Sequence, residues 1–325
     1  SDGPLAPGEE SVFNVPLTPL QPMPELIVDP EVTTEHPVPG EPPLVTDPGP
    51  VDLGPVAETL LPLPIKVFLG GPYVASAGLM RDNLRMQSFI PTTEPYTGMP
   101  GFTHLNGGGV NGGGGEIVNS SIFSVTGDNA IVDWVFVELR DSAAMGTVVA
   151  TRAALVQRDG DVVGLDGVTV LHVPYSFNNQ NRFVSVRHRN HLGVMSANTV
   201  LITIATPLTD FTISATPVFG TNPMKVIGNV RVLWSGNTNV NKAVIAAGPL
   251  NDVNPVLIKV LGDPENFNFA ANYIVYGYWP TDVSMDGRTI AAGPNNDLNP
   301  ILANVYSHPV NTTLAANYII LQQLP

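Results

Sequence analysis

The chain contains no cysteine. Disulfides, thiolate nucleophiles and Cys-ligated zinc are excluded, and nothing is said about redox compartment. Positive charge is scarce: 14 Lys and Arg against 28 Asp and Glu leave a net charge of -14, a balance that argues against nucleic acid as a partner. Charged residues of both signs make up only 13% of the chain, about half the usual ~25 %. No run approaches the roughly 18 uninterrupted apolar residues of a membrane span, so none is predicted. No basic stretch followed by an apolar core opens the sequence, which begins at Ser1; the expectation is that a leader was removed or lies outside it.

What the chain has in quantity is proline and glycine, 32 and 31 residues among 325, with 43% apolar residues. That length is ample for a sizeable core and suggests roughly two domains. Proline is unevenly spread: residues 1–65 hold 16 of the 32, with 11 acidic residues and no Lys or Arg before Lys66. Proline fixes φ and withholds an amide donor, so this segment is predicted to be an extended arm of polyproline or edge-strand type. Phe13, Val15 and Leu17 share one face at period two, and Leu26, Ile27 and Val28 follow. Such patches are expected to dock, either on the arm's own domain or on a neighbouring subunit.

From Lys66 to about residue 233 the pattern becomes β-rich, with predicted strands at 132–139, 148–157, 168–173, 182–189, 199–205, 211–215 and 225–233. Asp159-Gly160 marks a hairpin turn. The expected fold is mainly β, a sandwich-type domain over 66–233. The stretch 106–115 has seven glycines, but no Gly-Lys-Ser/Thr ending or following helix, so it reads as a loop and not a phosphate cradle.

Residues 234–325 hold a tandem repeat. Setting 234–278 above 279–323 at a fixed offset of 45 gives 19 identities without a gap. Each copy is predicted to contain a short helix, started at Asn251-Asp252 or Asn296-Asp297, where the carboxylate caps free amides, with Pro255 or Pro300 in the first turn. Leu257 and Val260, or Leu302 and Val305, would face the core, and 272–274 and 317–319 would be extended.

In the second copy, Asp282, Ser284 and Asp286 occupy positions one, three and five of a loop whose sixth residue is Gly287. A hard cation needs several oxygens, alternate residues pointing inward, a glycine at the bend and a carbonyl from position seven, here Arg288. Asp297 stands near the place of the missing twelfth-position acid. The loop is therefore either a calcium site or a polar turn held by Asx hydrogen bonds. The first copy has Asn237, Asn239, Asn241 and Lys242 at these places, so calcium is expected in the second copy alone.

The stretch from Asp282 to Ile319 (DVSMDG, GPNND, IL, NYI) resembles the C-terminal repeats of secreted surface proteins of Bacteroidetes, themselves similar to dockerin calcium loops. KVFLGGPYVASAGLMRDNLR at 66–85, VDWVFVELRD at 132–141, ATRAALVQRDGDVV at 150–163 and VRHRNHLGVMSA at 186–197 resemble the same hemagglutinin-like family. The resemblance implies export by the type IX pathway and an extracellular or cell-surface location, and supplies no reaction.

His188 and His191 stand three apart on a predicted strand, so they should point to opposite faces and serve structural hydrogen bonds beside Arg187 and Arg189. No Gly-x-Ser-x-Gly or His-Glu-x-x-His pattern occurs, and no enzyme is expected. The expected function is an extracellular structural protein that assembles with itself into a filament or sheath through its arm. The alternative is an adhesin that binds glycan or a surface protein.

Overall fold

The computed structural model describes residues 60–106 and 114–325, with the backbone of two short antiparallel strands, Ile27–Val28 and Val51–Asp52. Phe13, Val15 and Leu17 lie outside the described residues. Residues 60–325 form one compact unit that is mainly β. The unit takes in 60–65, which composition grouped with the arm, because Leu60–Pro62 pairs with His172–Pro174 and Ile65–Lys66 pairs in parallel with Thr209–Asp210.

Its framework is a six-stranded antiparallel sheet built from β1 (Ile131–Asp141), β2 (Val148–Gln157), β3 (Val162–Val163), β4 (Gln180–His188), β5 (His191–Met195) and β6 (Val200–Ile202). The order is β5-β4-β1-β2-β3, with β6 paired to the other half of β4's outer edge. β1 is central and covered on both faces. Its residues are therefore apolar without clean alternation, and its charged residues Asp133, Glu138 and Arg140 are buried. Each is paired: Arg140 and Arg187 both reach Glu138, at 2.7 and 2.9 Å.

Two predicted strands prove to be interrupted. Residues 225–233 form a hairpin, Met224–Ile227 with Val230–Leu233, because Gly228 adopts φ +61 at the first turn position. Residues 182–189 stop at His188, where Arg189-Asn190 makes the turn into β5. The predicted strand at 211–215 is displaced to Thr209–Asp210.

The repeats each supply a helix, α1 (Val253–Leu261) and α2 (Leu298–Ser307). The buried positions are Val256 and Val260, Ile301 and Val305, at spacing four; Leu257 and Leu302 only flank this core. The copies exchange strands. Val275–Tyr276 of the first pairs with Arg288–Thr289 of the second, and Ile320–Leu321 of the second returns to Ala243–Val244 of the first. These pairings are equivalent under the 45-residue offset, so the repeats are joined reciprocally, as two subunits of a symmetric dimer would be. Asn266 and Asn311 show why that residue recurs: each side chain donates to two carbonyls and accepts the amide four residues on, at 2.8 to 3.0 Å in both copies.

Candidate functional site

The loop 282–288 is drawn together around Asp282. Its Oδ1 accepts the Asp286 amide at 3.1 Å, its Oδ2 the Gly287 amide at 2.8 Å, and Ser284 Oγ lies 3.4 Å from Oδ1. Gly287 has φ +85; Lys242 takes the same left-handed turn in the first copy at φ 69. Asp297 does not cap α2. Its carboxylate turns back into the loop, where Oδ1 accepts the Val283 and Ser284 amides at 2.8 and 3.2 Å and Oδ2 the Ile290 amide at 3.0 Å. Asp252 does the same with Thr238 and Ile245. The caps are Asn251 and Asn296, whose Oδ1 atoms accept the amides of Asn254 and Asn299. A loop that must bury its own amides outbids a helix terminus for the carboxylate.

Burial dominates the electrostatics here. It pushes Asp282 up to about 7, helped by Asp286 and opposed by Arg189. Asp297 is pushed up to about 8 by burial and then by Asp282. Asp286, by contrast, is engaged by the Arg288 side chain. Two buried carboxyls, one of which raises the other, are suited to a proton or a cation, and their oxygens keep lone pairs beyond the amides they accept. Asp282, Ser284 and Asp297 share the loop's hydrogen bonds, but Asp286 turns to Arg288, and the three carboxylates do not bring their oxygens within 4.8 Å of one another. Arg288 instead spends its guanidinium on Asp286.

This loop is pinned to the sheet by side chains donating to its carbonyls. Asn190 Nδ2 reaches Asp282 O at 2.8 Å, Arg81 reaches Ser284 O at 3.0 Å, and Gln87 reaches Asp286 O at 2.7 Å. Val283 O approaches Gly71 so closely that a Cβ there would sit 2.1 Å away. Beneath the loop is a buried polar network that the sequence concealed. Asp133 accepts from Tyr278 OH at 2.5 Å, His188 Nε2 at 3.1 Å and Arg189 Nε at 3.1 Å. Arg189 also donates to Trp279 O at 2.6 Å and lies over the Tyr278 ring.

The two histidines converge, contrary to the single-strand expectation, because the turn at 189–190 makes them cross-strand partners with Nδ1 atoms 2.9 Å apart. His191 Nε2 accepts the Gly71 amide at 3.0 Å. The network fixes the tautomers: His191 Nδ1–H has two acceptors, Asn190 Oδ1 at 2.8 Å and His188 Nδ1 at 2.9 Å, and His188 Nε2–H donates to Asp133. Burial holds both histidines below their ordinary value, His191 further by the proximity of His188 and Arg189. Burial pushes Asp133 up, but Arg189, His188 and Tyr278 outweigh it and hold it down. The order Asp-His-His resembles a proton relay, yet every member is at most 1% exposed. It positions the loop.

Outside this network, an open cleft of about 430 Å³ is bordered by Arg81, Ser284, Asp286, Asn295, Asn296 and Asn299. Its polar groups are those that grip hydroxyls and planar polar ligands. Comparison with known proteins brings no family model, no curated protein and no solved structure into match with this chain.

Proposed function

We propose that the chain is a non-enzymatic extracellular structural protein that joins copies of itself into a filament or sheath. The Pro-rich arm carries the contact, with Phe13, Val15 and Leu17 as anchors on a neighbour. The observation that supports this most is the unequal surface of the two repeats. In the first copy Leu250, Ile258, Phe267 and Phe269 are 77%, 71%, 83% and 74% exposed. Their equivalents at the 45-residue offset are Asn295, Ala303, Thr312 and Leu314. Three of the four are replaced by smaller or polar residues in the second copy, while Leu314 stays 65% exposed; a surface unequal in this way suits a heterologous contact, which propagates where a self-complementary one would close. Burying the two phenylalanines would contribute about 2 to 3 kcal/mol each before ordering costs.

The same reading gives the protein an extracellular or cell-surface location, in keeping with the Bacteroidetes family its motifs resemble. It makes the β region a sandwich whose second layer includes the ribbon 224–233, since Val232 and Leu233 share a core with Val184 and Val194. Sedimentation velocity and negative-stain microscopy over a concentration series test the assembly. The full chain should polymerise, residues 60–325 should remain monomeric, and Phe267→Asp should weaken assembly. Polymerisation of residues 60–325 alone would remove the arm from the mechanism, and a full chain that stays monomeric would end this reading.

The adhesin reading is favoured by the cleft beside Arg81. Glycan binding by the monomer, lost in Arg81→Ala, would support it over assembly. In either reading calcium occupies the second copy only. Asp286→Ala should lower Tm in calcium and change little in chelator; identical behaviour in both buffers would remove calcium from the loop.

A further inference from the structure

We propose that Glu94, His104 and Glu116 bind one divalent transition-metal cation of the zinc or manganese class, at a site separate from the repeat loops. Two of the three stand on paired backbone: Thr93 bridges Ile117, Glu94 N–H donates to Glu116 O at 3.0 Å, and Val118 N–H donates to Thr92 O at 2.8 Å. Glu94 and Glu116 therefore face one another across an antiparallel pair, which is unfavourable for like charges. Both are only 4% exposed. The chain between them brings in His104, whose ring packs on Phe136 at 5.1 Å. Gly114, at φ +141, lies so close that a Cβ would come within 3.0 Å of the imidazole. One ligand atom from each residue lies within 4.8 Å of the other two.

The independent observation is Glu116. Both of its carboxylate oxygens are buried and neither has a hydrogen-bond partner among the described residues; His104 Nδ1 is likewise buried and without a partner among them. Glu94, in the same pocket of structure, accepts the amides of Tyr96 at 2.6 Å, Thr97 at 3.1 Å and Gly115 at 2.9 Å, and the Thr97 hydroxyl. A buried carboxylate without any donor is unfavourable until a cation or a proton supplies what is missing. Two carboxylates and a neutral imidazole balance a doubly charged ion. The imidazole disfavours calcium and magnesium, which take oxygen ligands, and a mixed nitrogen and oxygen set suits zinc and its neighbours. Three protein ligands leave one position of a tetrahedral shell open to water.

The test uses the full chain, stripped with chelator, dialysed and titrated with zinc and separately with manganese by calorimetry, with metal content measured after dialysis. One equivalent of either ion should be retained, undisturbed by excess calcium or by Asp286→Ala. Affinity should fall by on the order of 100-fold in Glu116→Gln, which keeps the shape of the side chain, and in His104→Ala. Cobalt absorption of the unaltered chain gives a readout that needs no variant: an intense four-coordinate band is expected. A weak, water-like cobalt spectrum, no saturable binding at millimolar metal, or equal binding by wild type and Glu116→Gln would each overturn the proposal.

Discussion

In chelator, the folded body is expected to lose about 3 kcal/mol of stability as pH rises from about 6.5 to about 8, and Asp282→Asn should reduce that loss by about half. Burial pushes Asp252 and Asp282 up to about 7 and Asp297 to about 8. In the unfolded chain these groups titrate near ~4. The folded state therefore holds protons that the unfolded chain has released, and stability is lost as pH rises toward the folded values. His188, His191 and His308 have the opposite sign. Burial lowers all three, so below about 6.5 the unfolded chain takes protons the folded state refuses. The two sets oppose one another between about 4 and 6.5. Above that only the carboxyls remain, at about 1.4 kcal/mol per pH unit for each proton. Asp282 is the informative position because the first copy already carries Asn237 there, its Oδ1 accepting the Asn241 amide at 3.0 Å. Removing Asp282 also removes the charge that raises Asp297. Urea unfolding at several pH values checks this, and a flat profile in the wild type would show that the carboxyls are not raised. Calcium, if it replaces the protons, should abolish the fall.

Asp133→Ala is expected to cost about 3 to 5 kcal/mol, the usual penalty for stranding one member of a buried ion pair. Arg189 would keep its charge at 0% exposure with the Trp279 carbonyl, the Tyr278 ring and the nearby Asp282, and no carboxylate hydrogen-bonded to it. His188 would lose its acceptor, and Tyr278 OH its partner. Tyr278→Phe, which leaves the charges paired, should cost only about 1 to 2 kcal/mol. Chemical denaturation of both variants measures the contrast. A loss below about 1 kcal/mol for Asp133→Ala would mean that the network relaxes around the hole and does not hold the loop.

The long strands β1 and β2 were legible because their apolar runs are bounded by turn residues, and residues 148–157 match the structure end to end. The repeat was legible as repeated text, and the text placed both helices. Its strand exchange was not, since a pair such as Ala243–Val244 with Ile320–Leu321 joins two-residue elements with no periodicity to read. Asp282, Ser284 and Asp297 were identified by spacing and share one hydrogen-bonded loop, while Asp286 turns to Arg288, which spacing alone did not show. Asp133, Arg189, Asn190 and Tyr278 escaped notice because strand alternation treats a polar residue as outward-facing, whereas β1 is covered on both sides. His188 and His191 were misread for a related reason: no glycine or proline announces the turn at Arg189-Asn190. Glu94 and Glu116 are 22 positions apart in the sequence, and only backbone pairing makes them neighbours.

The reciprocal pairing of the repeats has an ancestral implication. A chain with a single copy would own an early strand and a late strand with nothing to pair them, and two such chains would satisfy one another across a twofold axis. Duplication within one gene turns that partnership into a covalent one and frees the halves from having to be identical. One half could then keep asparagines and take up exposed phenylalanines while the other acquired aspartates. The arrangement also ties Ile320–Leu321 to the earlier half: trimming residues from Ile320 onward removes the partner of Ala243–Val244 in the first repeat and leaves the pair of Val275–Tyr276 with Arg288–Thr289 in place.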